Sequence, residues 1–584
     1  MKYLFLCIYL LLALASYSTW KMLPTSQYQG TTIYWVTDPN PARDEQIAIF
    51  QRWLKKDASR PQDLRVLIDA ANGRREKKVI QGVSGVCGDA MDIRGGSDLQ
   101  YFQEIGLIKP VTQTAGELGY DVGTTWQAVR PLIAMPVIQN DGTRKQEQFL
   151  YPCNVSVRMI WVDYNQFDEL GIERPPHRWD WDTFERIGRA FVQKANQGSS
   201  KQRRFLLPNL NTENLYRSLG LACFNETLTF CQLDDERYVT SLKKKVQWIN
   251  EDHLLPTASE ASGFDVESGY GGPQIYLFGQ GNYAMFVMGR YSLIRLRQIQ
   301  QDRLDQGQAL MSLDVLEPPH GGFPNTTCHT RALGIYAGGQ HIEQAKVFQS
   351  YLASEDYNMQ IVRDADALPP NPHYTRTLAW EKPLPLLPAQ TEMLFDYKDH
   401  EKSLLANFRI AFYEALDQLD RDSDCSVENL PRPPKPADMS EADYQQALAE
   451  FDKLYEASMP VYTSEWGMHQ RFTELMEKVA LPMDISPYCV PETVAIEIRK
   501  TEDEFINHLI TAQQAAKRAA NRVNDEILRT LNENPKLRPH YDRAMADQKI
   551  IDACKAKGQK IPVNLIQNPF YLRYYRVMDM LKDD

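Results

Sequence analysis

The sequence predicts an α/β fold, because its first hundred residues alternate strand-like and helix-like segments and because the chain is long and apolar enough for several compact units. It has 584 residues, of which 43% are hydrophobic and 10% aromatic, a composition that disfavours disorder for most of its length. The formal net charge is −11 and no long run of Lys or Arg occurs, which argues against nucleic acid as the main partner. Small molecules or proteins are the expected partners.

The alternation begins at residues 31–37, a β-branched and aromatic run that predicts the first strand. A helix should follow, with Asn40 as its cap and Pro41 at its first position, where a missing N–H costs nothing. The second strand is predicted at residues 64–69 and the third from residue 89, with a basic helix between them. Strands that alternate with helices in this way pair in parallel. The apolar residues that recur on one face of the first helix are Ile47, Phe50 and Leu54.

Later segments predict a linker and helices. Residues 421–439 are rich in charge and proline, which indicates a surface insertion or linker. A helix is expected to begin at Ser440. Thr501 and Glu504 form a capping box that predicts a long amphipathic helix reaching Ile527.

Residues 1–15 have the pattern of an export signal. Lys2 precedes an apolar run that ends in Ala-Leu-Ala before Ser16, and the run is shorter than the roughly 20 apolar residues of a membrane-spanning helix. An uncleaved anchor that extends to about residue 23 is the alternative. Either outcome places the protein in the periplasm or on the extracellular face of a membrane.

Nine cysteines occur. Export would place eight of them, all but Cys7 of the signal segment, in an oxidising compartment in which disulfides form. Cys223 and Cys231 flank a segment short enough to turn back on itself, which makes this pair the preferred disulfide; free buried thiols are the alternative. The sequence has no CxxC and no HExxH motif, so neither a metal nor another cofactor is expected.

Several motifs together, in this order and spacing, carry a resemblance to a known family. They are Trp35-Val36-Thr37-Asp38, Gly85-Val86-Cys87-Gly88-Asp89, Ile160-Trp161-Val162-Asp163-Tyr164-Asn165, Trp179-Asp180-Trp181-Asp182, Phe278-Gly279-Gln280-Gly281-Asn282-Tyr283-Ala284-Met285 followed by Gly289-Arg290-Tyr291, and Leu333-Gly334-Ile335-Tyr336. In this combination the chain resembles the extracellular solute-binding proteins of ABC importers, in particular the large family that captures sugars and oligosaccharides. The resemblance spans about residues 34–531.

The resemblance implies a two-lobed periplasmic-binding-protein fold with discontinuous lobes, joined by a hinge of crossing strands and closing around the ligand. We expect residues 29–135 and 317–368 to form the first lobe, and residues 136–316 and 369–531 the second. Residues 532–584 form a helical C-terminal extension, which we expect to pack on the second lobe. The implied partners are a carbohydrate ligand and an ABC permease in the inner membrane, and a monomer is expected.

A sugar presents hydroxyl groups on its rim and C–H groups on its faces, so its cleft should combine aromatic rings with charged and amide side chains. Trp35 and Asp38 end the first strand, and ligands collect at the carboxyl ends of parallel strands. Asp38 and its neighbour Arg43 are therefore candidate hydroxyl contacts; a helix cap and a surface charge are the alternatives. Ser84 and Asp89 lie on a glycine turn whose backbone N–H groups could meet a ligand oxygen.

The resemblance also implies contacts from the hinge and the second lobe. Asn154 and Trp161 fall where the family places an aromatic platform, although Trp161 could equally be a core residue. Tyr291 matches the position of an aromatic residue that stacks on a sugar ring. Three further residues would suit an anionic ligand such as a uronic acid or a sulfated sugar, since arginine binds carboxylates in a bidentate manner; ion pairs within the lobes are the alternative for the arginines. These residues are Arg290, His329 and Arg331.

Two other functions are compatible with parts of the sequence. A secreted glycoside hydrolase would need a pair of carboxylates at a fixed separation, but Asp180 and Asp182 are better explained as loop and cap residues. A membrane-tethered sensor or adaptor would retain the fold and use an uncleaved anchor. Reversible capture without catalysis is the expected function.

Overall fold

The computed structural model describes residues 30–38, 42–70, 75–139, 141, 143–198, 204–264, 272–385, 435 and 440–582. Within these ranges the protein is a mixed α/β structure with two lobes, each built around its own sheet. The predicted α/β fold class is therefore confirmed. The predicted signal segment, Asn40 and Pro41, and nearly all of the predicted 421–439 linker lie outside the described residues.

The strands of the described residues are numbered in chain order. They are β1 (Thr31–Val36), β2 (Leu64–Asp69), β3 (Ala90–Arg94), β4 (Ala134–Ile138), β5 (Arg144–Gln148), β6 (Leu150–Val157), β7 (Met159–Asp163), β8 (Met285–Met288), β9 (Leu313–Leu316), β10 (Thr326–Ile335), β11 (Ala480–Leu481), β12 (Ile561–Pro562) and β13 (Leu581–Lys582).

The α-helices of the described residues are numbered in the same way. They are α1 (Ala42–Lys55), α2 (Arg75–Val83), α3 (Ser97–Glu104), α4 (Thr112–Glu117), α5 (Arg130–Ile133), α6 (Asn165–Glu169), α7 (Trp181–Ala195), α8 (Thr212–Ser218), α9 (Glu236–Asn250), α10 (Ala258–Ser262), α11 (Pro273–Gly279), α12 (Leu293–Asp305), α13 (Ile342–Tyr351), α14 (Glu355–Asp364), α15 (Leu378–Glu381), α16 (Glu441–Thr463), α17 (His469–Lys478), α18 (Pro491–Ile506), α19 (Ala512–Glu533), α20 (Arg538–Ala556) and α21 (Pro569–Val577).

The first lobe is built on a six-stranded sheet. Strand β1 pairs in parallel with β2 and β3, as the alternation predicts, and β10 pairs antiparallel with both β3 and β6. Helix α1 covers this sheet, with Ile47, Phe50 and Leu54 buried against it. Its packing includes an edge-to-face contact between Phe50 and Phe348, with ring centroids 5.0 Å apart, a geometry that favours aromatic pairs.

The second lobe is built on the antiparallel sheet β8-β7-β9. The chain passes from the first sheet to the second within one residue, because β6 ends at Val157 and β7 begins at Met159. It returns between β9 and β10, and the short strand β11 pairs with the start of β10 at Thr326 and Thr327. These adjacent crossings form the hinge between the lobes.

Helices follow the second lobe at the C-terminus. The single helix predicted up to Ile527 is wrong, because Thr501 lies inside α18 and the next helix begins after Thr511. Thr511 forms the reciprocal capping box with Gln514. The break between α18 and α19 includes His508, whose φ is 59°, a left-handed conformation that a continuous helix does not contain.

The C-terminal extension packs on residues 209–231 of the second lobe, which we call the insertion, and on the hinge. The main-chain N–H of Ala222 donates to the Tyr571 hydroxyl at 3.3 Å, and Glu226 accepts hydrogen bonds from Tyr575 and Gln548. Arg573 donates to the carbonyl oxygens of Val479 and Pro324, at 2.7 and 3.1 Å. The extension thus joins the insertion to the strands between the lobes. In the part of the chain that the structure describes, no helix combines the length and hydropathy needed to cross a bilayer.

Candidate functional site

The hinge strands β3, β10 and β6 present a polar face beside an apolar one. His329 lies opposite Ser156, while Arg331 lies opposite both Asn154 and Arg94. Because side chains alternate along a strand and opposite residues share a face, these residues all lie on one side of the sheet. The alternate residues line the apolar core on the other side; they include Ile93, Val155, Val157, Cys328 and Ala332. We call the first set, Arg94, Asn154, Ser156, His329 and Arg331, the polar hinge face.

A buried charge network lies at one end of the polar hinge face. Arg331 forms an ion pair with Asp92 at 2.7 Å, and Arg43 forms one with Asp366 at 2.7 Å and another with Asp38 at 2.9 Å. Burial opposes ionisation of Asp366, but Arg43 and Arg331 hold the pKa of its carboxyl below the usual value. Paired charges of this kind are tolerated in a protein interior, where an unpaired charge is not.

This network includes or contacts three predicted ligand contacts, Trp35, Asp38 and Arg43. Trp35 is fully buried, and its indole N–H donates to Asp92 at 2.7 Å. Arg43 is buried as well. In this structure neither side chain is accessible to a ligand, because both are covered by the first lobe. The Asp38 side chain is 45% exposed at the carboxyl end of β1 and can reach a ligand there.

The second lobe and the hinge connection supply the other side of the cleft. Tyr291 follows Gly289, and Gly289 lies so close to Ser156 that a Cβ there would overlap the Ser156 hydroxyl. The main-chain N–H of Arg158 donates to the Thr327 carbonyl at 3.0 Å, which fixes this residue between β6 and β7. The exposed side chains of Arg94 and Arg158 therefore start from the two strands that flank β10.

The pKa values within the cleft reflect these arginines. Burial, with Arg158 and Arg94, lowers the pKa of His329 to about 4, so its imidazole is neutral at pH 7 and can both donate and accept a hydrogen bond. Burial raises the pKa of the Tyr291 hydroxyl, which remains protonated. The cleft thus combines two cationic groups, a neutral imidazole, an aromatic ring, an amide and a serine hydroxyl.

A cavity of about 360 Å³ lies beyond the carboxyl end of β3, near the small end of the range for ligand pockets. Ser97 of the first lobe and Glu213 of the second both line it. Burial raises the pKa of Glu213, and Arg217 and Arg158 counteract this effect. The other lining residues come from residues 211–224 and from the C-terminal part of the chain: Asn211, Tyr216, Cys223, Phe224, Met483, Asp484, Ile485, Ser486, Cys489, Pro491, Glu492, Val494, Ala495, Ile498, Arg499 and Glu502.

Residues 482–490, which we call the bridging segment, connect the two lobes across this cavity. On the first lobe, the Gln100 amide donates to the Cys489 carbonyl at 3.3 Å. On the insertion of the second lobe, Arg217 donates to the Pro482 carbonyl at 2.9 Å and to Asp484 at 2.7 Å. One rim of the cleft is therefore closed by protein.

Two predicted contacts lie far from the polar hinge face. Ser84 and Asp89 precede β3, whereas Arg94 ends it, and a strand rise of about 3.3 Å per residue separates Asp89 from Arg94 by roughly 16 Å. The Asp89 carboxylate accepts from the main-chain N–H groups of Tyr34 and His341. These bonds fix the loops at the amino end of β3, so the turn has a structural explanation.

Trp161 and Arg290 are also fully buried. The Trp161 ring stacks on Phe286 in the core of the second lobe, with centroids 6.1 Å apart, which agrees with the alternative that it is a core residue. Arg290 donates to the carbonyl oxygens of Ile361 and Ala367, at 3.2 and 2.8 Å. It therefore caps the end of α14, as a cation at a helix C-terminus does, and is covered by protein.

Cys223 and Cys231 lie next to each other, as predicted, because the segment between them turns back on itself. Their Sγ atoms are 3.9 Å apart and both thiols are free in this structure. The disulfide stays a prediction. Among the described residues, no group of acidic, histidine or cysteine side chains is arranged to hold a metal ion.

Sequence reasoning identified Asn154, His329, Arg331 and Tyr291 in this region but missed Arg94, Ser156 and Arg158. Ser156 could have been found, because it lies two residues after Asn154 on the same face of a strand. Arg94 and Arg158 gave no local signal, since their positions depend on how β3 and β6 pair with β10.

No known family profile and no curated protein sequence matches the chain, but solved structures are similar to it. The sugar-binding protein MalE from Xanthomonas citri gives a TM-score of 0.55 at 14% identity, over 86% of this chain and 100% of that one. An ABC substrate-binding protein from Listeria monocytogenes, in complex with cycloalternan, gives 0.52 at 16% identity, over 85% and 99%. The maltose/maltodextrin-binding domain MalE from Bdellovibrio bacteriovorus, bound to maltotriose, gives 0.51 at 14% identity, over 85% and 100%.

These similarities cover most of this chain and nearly all of each similar structure, and they confirm the two-lobed fold implied by the motifs. At such identities they establish the architecture and leave the ligand to be inferred from the cleft itself. The chain has the two-lobed fold of the sugar-binding proteins of ABC transporters.

Proposed function

We propose that this protein is the substrate-binding component of an ABC transporter. It captures a carbohydrate reversibly between its two lobes and delivers it to a membrane permease. The similar structures are binding proteins rather than enzymes, and their ligands include cycloalternan, tagatose and maltotriose. Their ligands support a carbohydrate here, and capture requires no covalent step.

The observation that carries this proposal is the polar hinge face with Tyr291 beside it. A buried sheet face is normally apolar, and burial of a polar group without a partner costs free energy. Ser156 is 5% exposed, and its hydroxyl has no hydrogen-bond partner among the described residues. The partly exposed His329 on the same face can bond to a ligand hydroxyl group while the Tyr291 ring contacts a sugar face.

A ligand that contacts both lobes favours closure. It shifts the equilibrium between the open and closed forms only by the difference in its affinity for them. Tyr291 belongs to the turn that Arg290 fixes to the end of α14. This connection holds the aromatic ring close to the hinge. Movement of the lobes then changes the distance between Tyr291 and the exposed Asp38 carboxylate of the first lobe.

The test is a variant of Tyr291. Tyr291→Ala should weaken binding of the cognate saccharide at least tenfold, since aromatic anchors in binding sites commonly contribute about 1–3 kcal/mol. Tyr276→Ala is the matched control, because Tyr276 is exposed on α11 outside the cleft. The ligand is first identified by measuring thermal unfolding of the protein with each member of a panel of saccharides. A saccharide present at 100 times its Kd adds about 2.7 kcal/mol to the free energy of unfolding.

Equal affinity of Tyr291→Ala and wild type would contradict the placement of the ligand. A panel in which no saccharide raises the unfolding temperature would contradict carbohydrate capture itself. Recovery of the saccharide in cleaved form would contradict a function without catalysis.

Export and a monomeric state belong to the same proposal. Residues 1–15 would be removed on export, and the mass of the protein recovered from the periplasm tests this directly. The aromatic residues of the C-terminal extension are engaged in packing: Phe570, Tyr571 and Tyr575 are buried. These side chains stabilise the insertion and the hinge, and they leave the interlobe cleft as the region for ligand.

A further inference from the structure

Most arginines near the hinge have an acidic or carbonyl partner. Arg43 and Arg331 pair with Asp366 and Asp92, and Arg290 donates to main-chain carbonyls. Arg94 and Arg158 differ, because neither forms an ion pair with any side chain in the described ranges and both are exposed. They place two uncompensated positive charges beside the polar hinge face.

The positions of these two arginines are fixed by strand pairing. Arg94 lies opposite Arg331 on one side of β10, and Arg158 follows Val157, which lies opposite Cys328 on the other side. Neighbouring strands are about 4.8 Å apart and a strand rises about 3.3 Å per residue. Arg94 is level with Arg331 and Arg158 with Thr327, so the two side chains start about 16 Å from each other, with His329 between them. The low pKa of His329 has its origin in both arginines as well as in burial.

The acidic groups near this pair form their ion pairs with other arginines. Asp98, whose carboxyl is influenced by Arg94, pairs with Arg75 at 3.5 Å. Glu213 and Asp484 both form ion pairs with Arg217, at 2.9 and 2.7 Å. Arg217 is fully buried and holds the two carboxylates at the cavity wall. The charge of Arg94 and Arg158 therefore remains directed at the solvent of the cleft.

From this geometry we infer that the ligand carries an anionic substituent, a carboxylate or a sulfate, which Arg94 and Arg158 bind from the two sides of His329. The inference rests on the proposed function and specifies its ligand class. A guanidinium group matches the two oxygens of such a substituent with parallel N–H donors. His329, whose imidazole is neutral, then bonds to the uncharged part of the sugar ring.

The arginines that sequence reasoning assigned to an anion were Arg290 and Arg331, and the structure gives their charges to other partners. Recognition of an anionic group by arginine is inferred here as well, but at Arg94 and Arg158. A neutral saccharide would leave two guanidinium groups without a counter-charge upon closure, and an unpaired buried charge is strongly unfavourable.

The experiment compares acidic saccharides with their own uncharged derivatives. The probes are glucuronate- and galacturonate-containing di- and trisaccharides, their methyl esters, and hexose disaccharides with a single sulfate. Kd is measured by titration calorimetry for wild type, Arg94→Ala, Arg158→Ala and Arg94→Lys. Arg543→Ala is the matched control, since Arg543 is exposed on α20 in the C-terminal extension.

Wild type should bind one acidic probe at least tenfold more tightly than its ester or its unsulfated counterpart. Each arginine-to-alanine variant should lose about tenfold or more of that affinity, whereas Arg543→Ala should not change it. Arg94→Lys should bind with intermediate affinity, because lysine retains the charge and loses the paired donors. Raising NaCl from about 50 to about 500 mM should weaken binding of the acid and spare the ester. The carboxylated and sulfated probes distinguish the two sources of the anion.

Tight binding of neutral saccharides that is unaffected by Arg94→Ala and Arg158→Ala would overturn this inference and leave the proposed function intact. Failure of every saccharide, acidic or neutral, would overturn both. Both alanine variants replace exposed side chains, so unchanged thermal unfolding without ligand is expected and separates lost binding from lost folding.

Discussion

The buried imidazole of His469 should make the stability of this protein depend on pH below neutrality. Arg290 Nε donates to Nδ1 of His469 at 2.9 Å, and Nε2 lies 3.1 Å from Glu465. The imidazole must therefore carry its single proton on Nε2 and accept at Nδ1. A second proton on Nδ1 would face the N–H of Arg290, and Arg297, which pairs with Glu465, adds further positive charge nearby.

The direction and size of the effect follow from the pKa of His469. Burial and the Arg290 charge lower it from 6.5 to about 4 in the folded protein. As the pH falls, the unfolded chain takes up this proton first, so the stability contributed by neutral His469 is fully present above pH 6.5 and is lost between pH 6.5 and about 4. At about 1.4 kcal/mol per pKa unit, the loss amounts to about 3 kcal/mol.

The variant that tests this is His469→Gln, whose amide can accept from Arg290 and donate to Glu465 without titrating. Unfolding of both proteins is followed in urea at several pH values between 7 and 4, by the tryptophan fluorescence of the whole protein. Wild type should be the more stable protein at pH 7, and its advantage should shrink by about 3 kcal/mol by pH 4. Parallel pH profiles for the two proteins would refute the reasoning, because every other titrating group is common to both.

Two further substitutions test the hinge and the cleft. Glu465 accepts hydrogen bonds from Arg297 at 2.8 and 2.7 Å in the interior. Glu465→Gln removes this charged partner and should lower the free energy of unfolding by about 3–5 kcal/mol in the same urea assay. A loss below about 1 kcal/mol would show that this pair is not the stabilising contact. Gly289→Ala would place a Cβ against the Ser156 hydroxyl and 2.9 Å from the Tyr291 ring, so this variant should bind saccharide more weakly in calorimetry. Adding Ser156→Ala to the same chain should partly restore the position of the ring. Unchanged affinity in the single variant would contradict the close packing.

Local sequence patterns predicted much of the first lobe. Strand β2 was predicted with its observed bounds, because an alternating run of apolar residues between turn residues needs no information from the rest of the chain. Trp35 was correctly placed in a strand, yet its burial could not be read from the sequence. The Trp35 indole bonds to Asp92, which is 57 positions further along the chain.

The capping box at Thr501 shows how a local pattern can mislead. Pro491 occupies the first turn of α18, where its fixed φ favours a helix start, and this earlier start absorbs Thr501 into the helix. Thr501 then bonds back to the carbonyl of Glu497, as a threonine inside a helix commonly does. The choice between two possible starts depends on the packing of the whole segment.

The arginines illustrate the limit for the site. Residue type predicted an arginine-rich cleft, but Arg290 and Arg331 are neutralised by protein while Arg94 and Arg158 are open. The sequence shows which residues are charged. Which group each arginine pairs with depends on how β3, β6 and β10 align, and the sequence does not show that alignment. For Arg331 the alternative of an ion pair within the protein is the one observed.

The bridging segment has a consequence for the energetics of the empty protein. Separating the first lobe from this segment and from the start of α18 would break the Gln100–Cys489 hydrogen bond and the Arg75–Glu492 ion pair. It would also expose Ile485, which packs on Gly96. The two polar contacts alone amount to on the order of 2 kcal/mol, or about a thirtyfold preference for lobes that stay together. The segment thus acts as an intramolecular ligand, always present at a fixed effective concentration. A ligand that enters the cleft therefore meets lobes that are already held together on one side, and its release requires the same contacts to break.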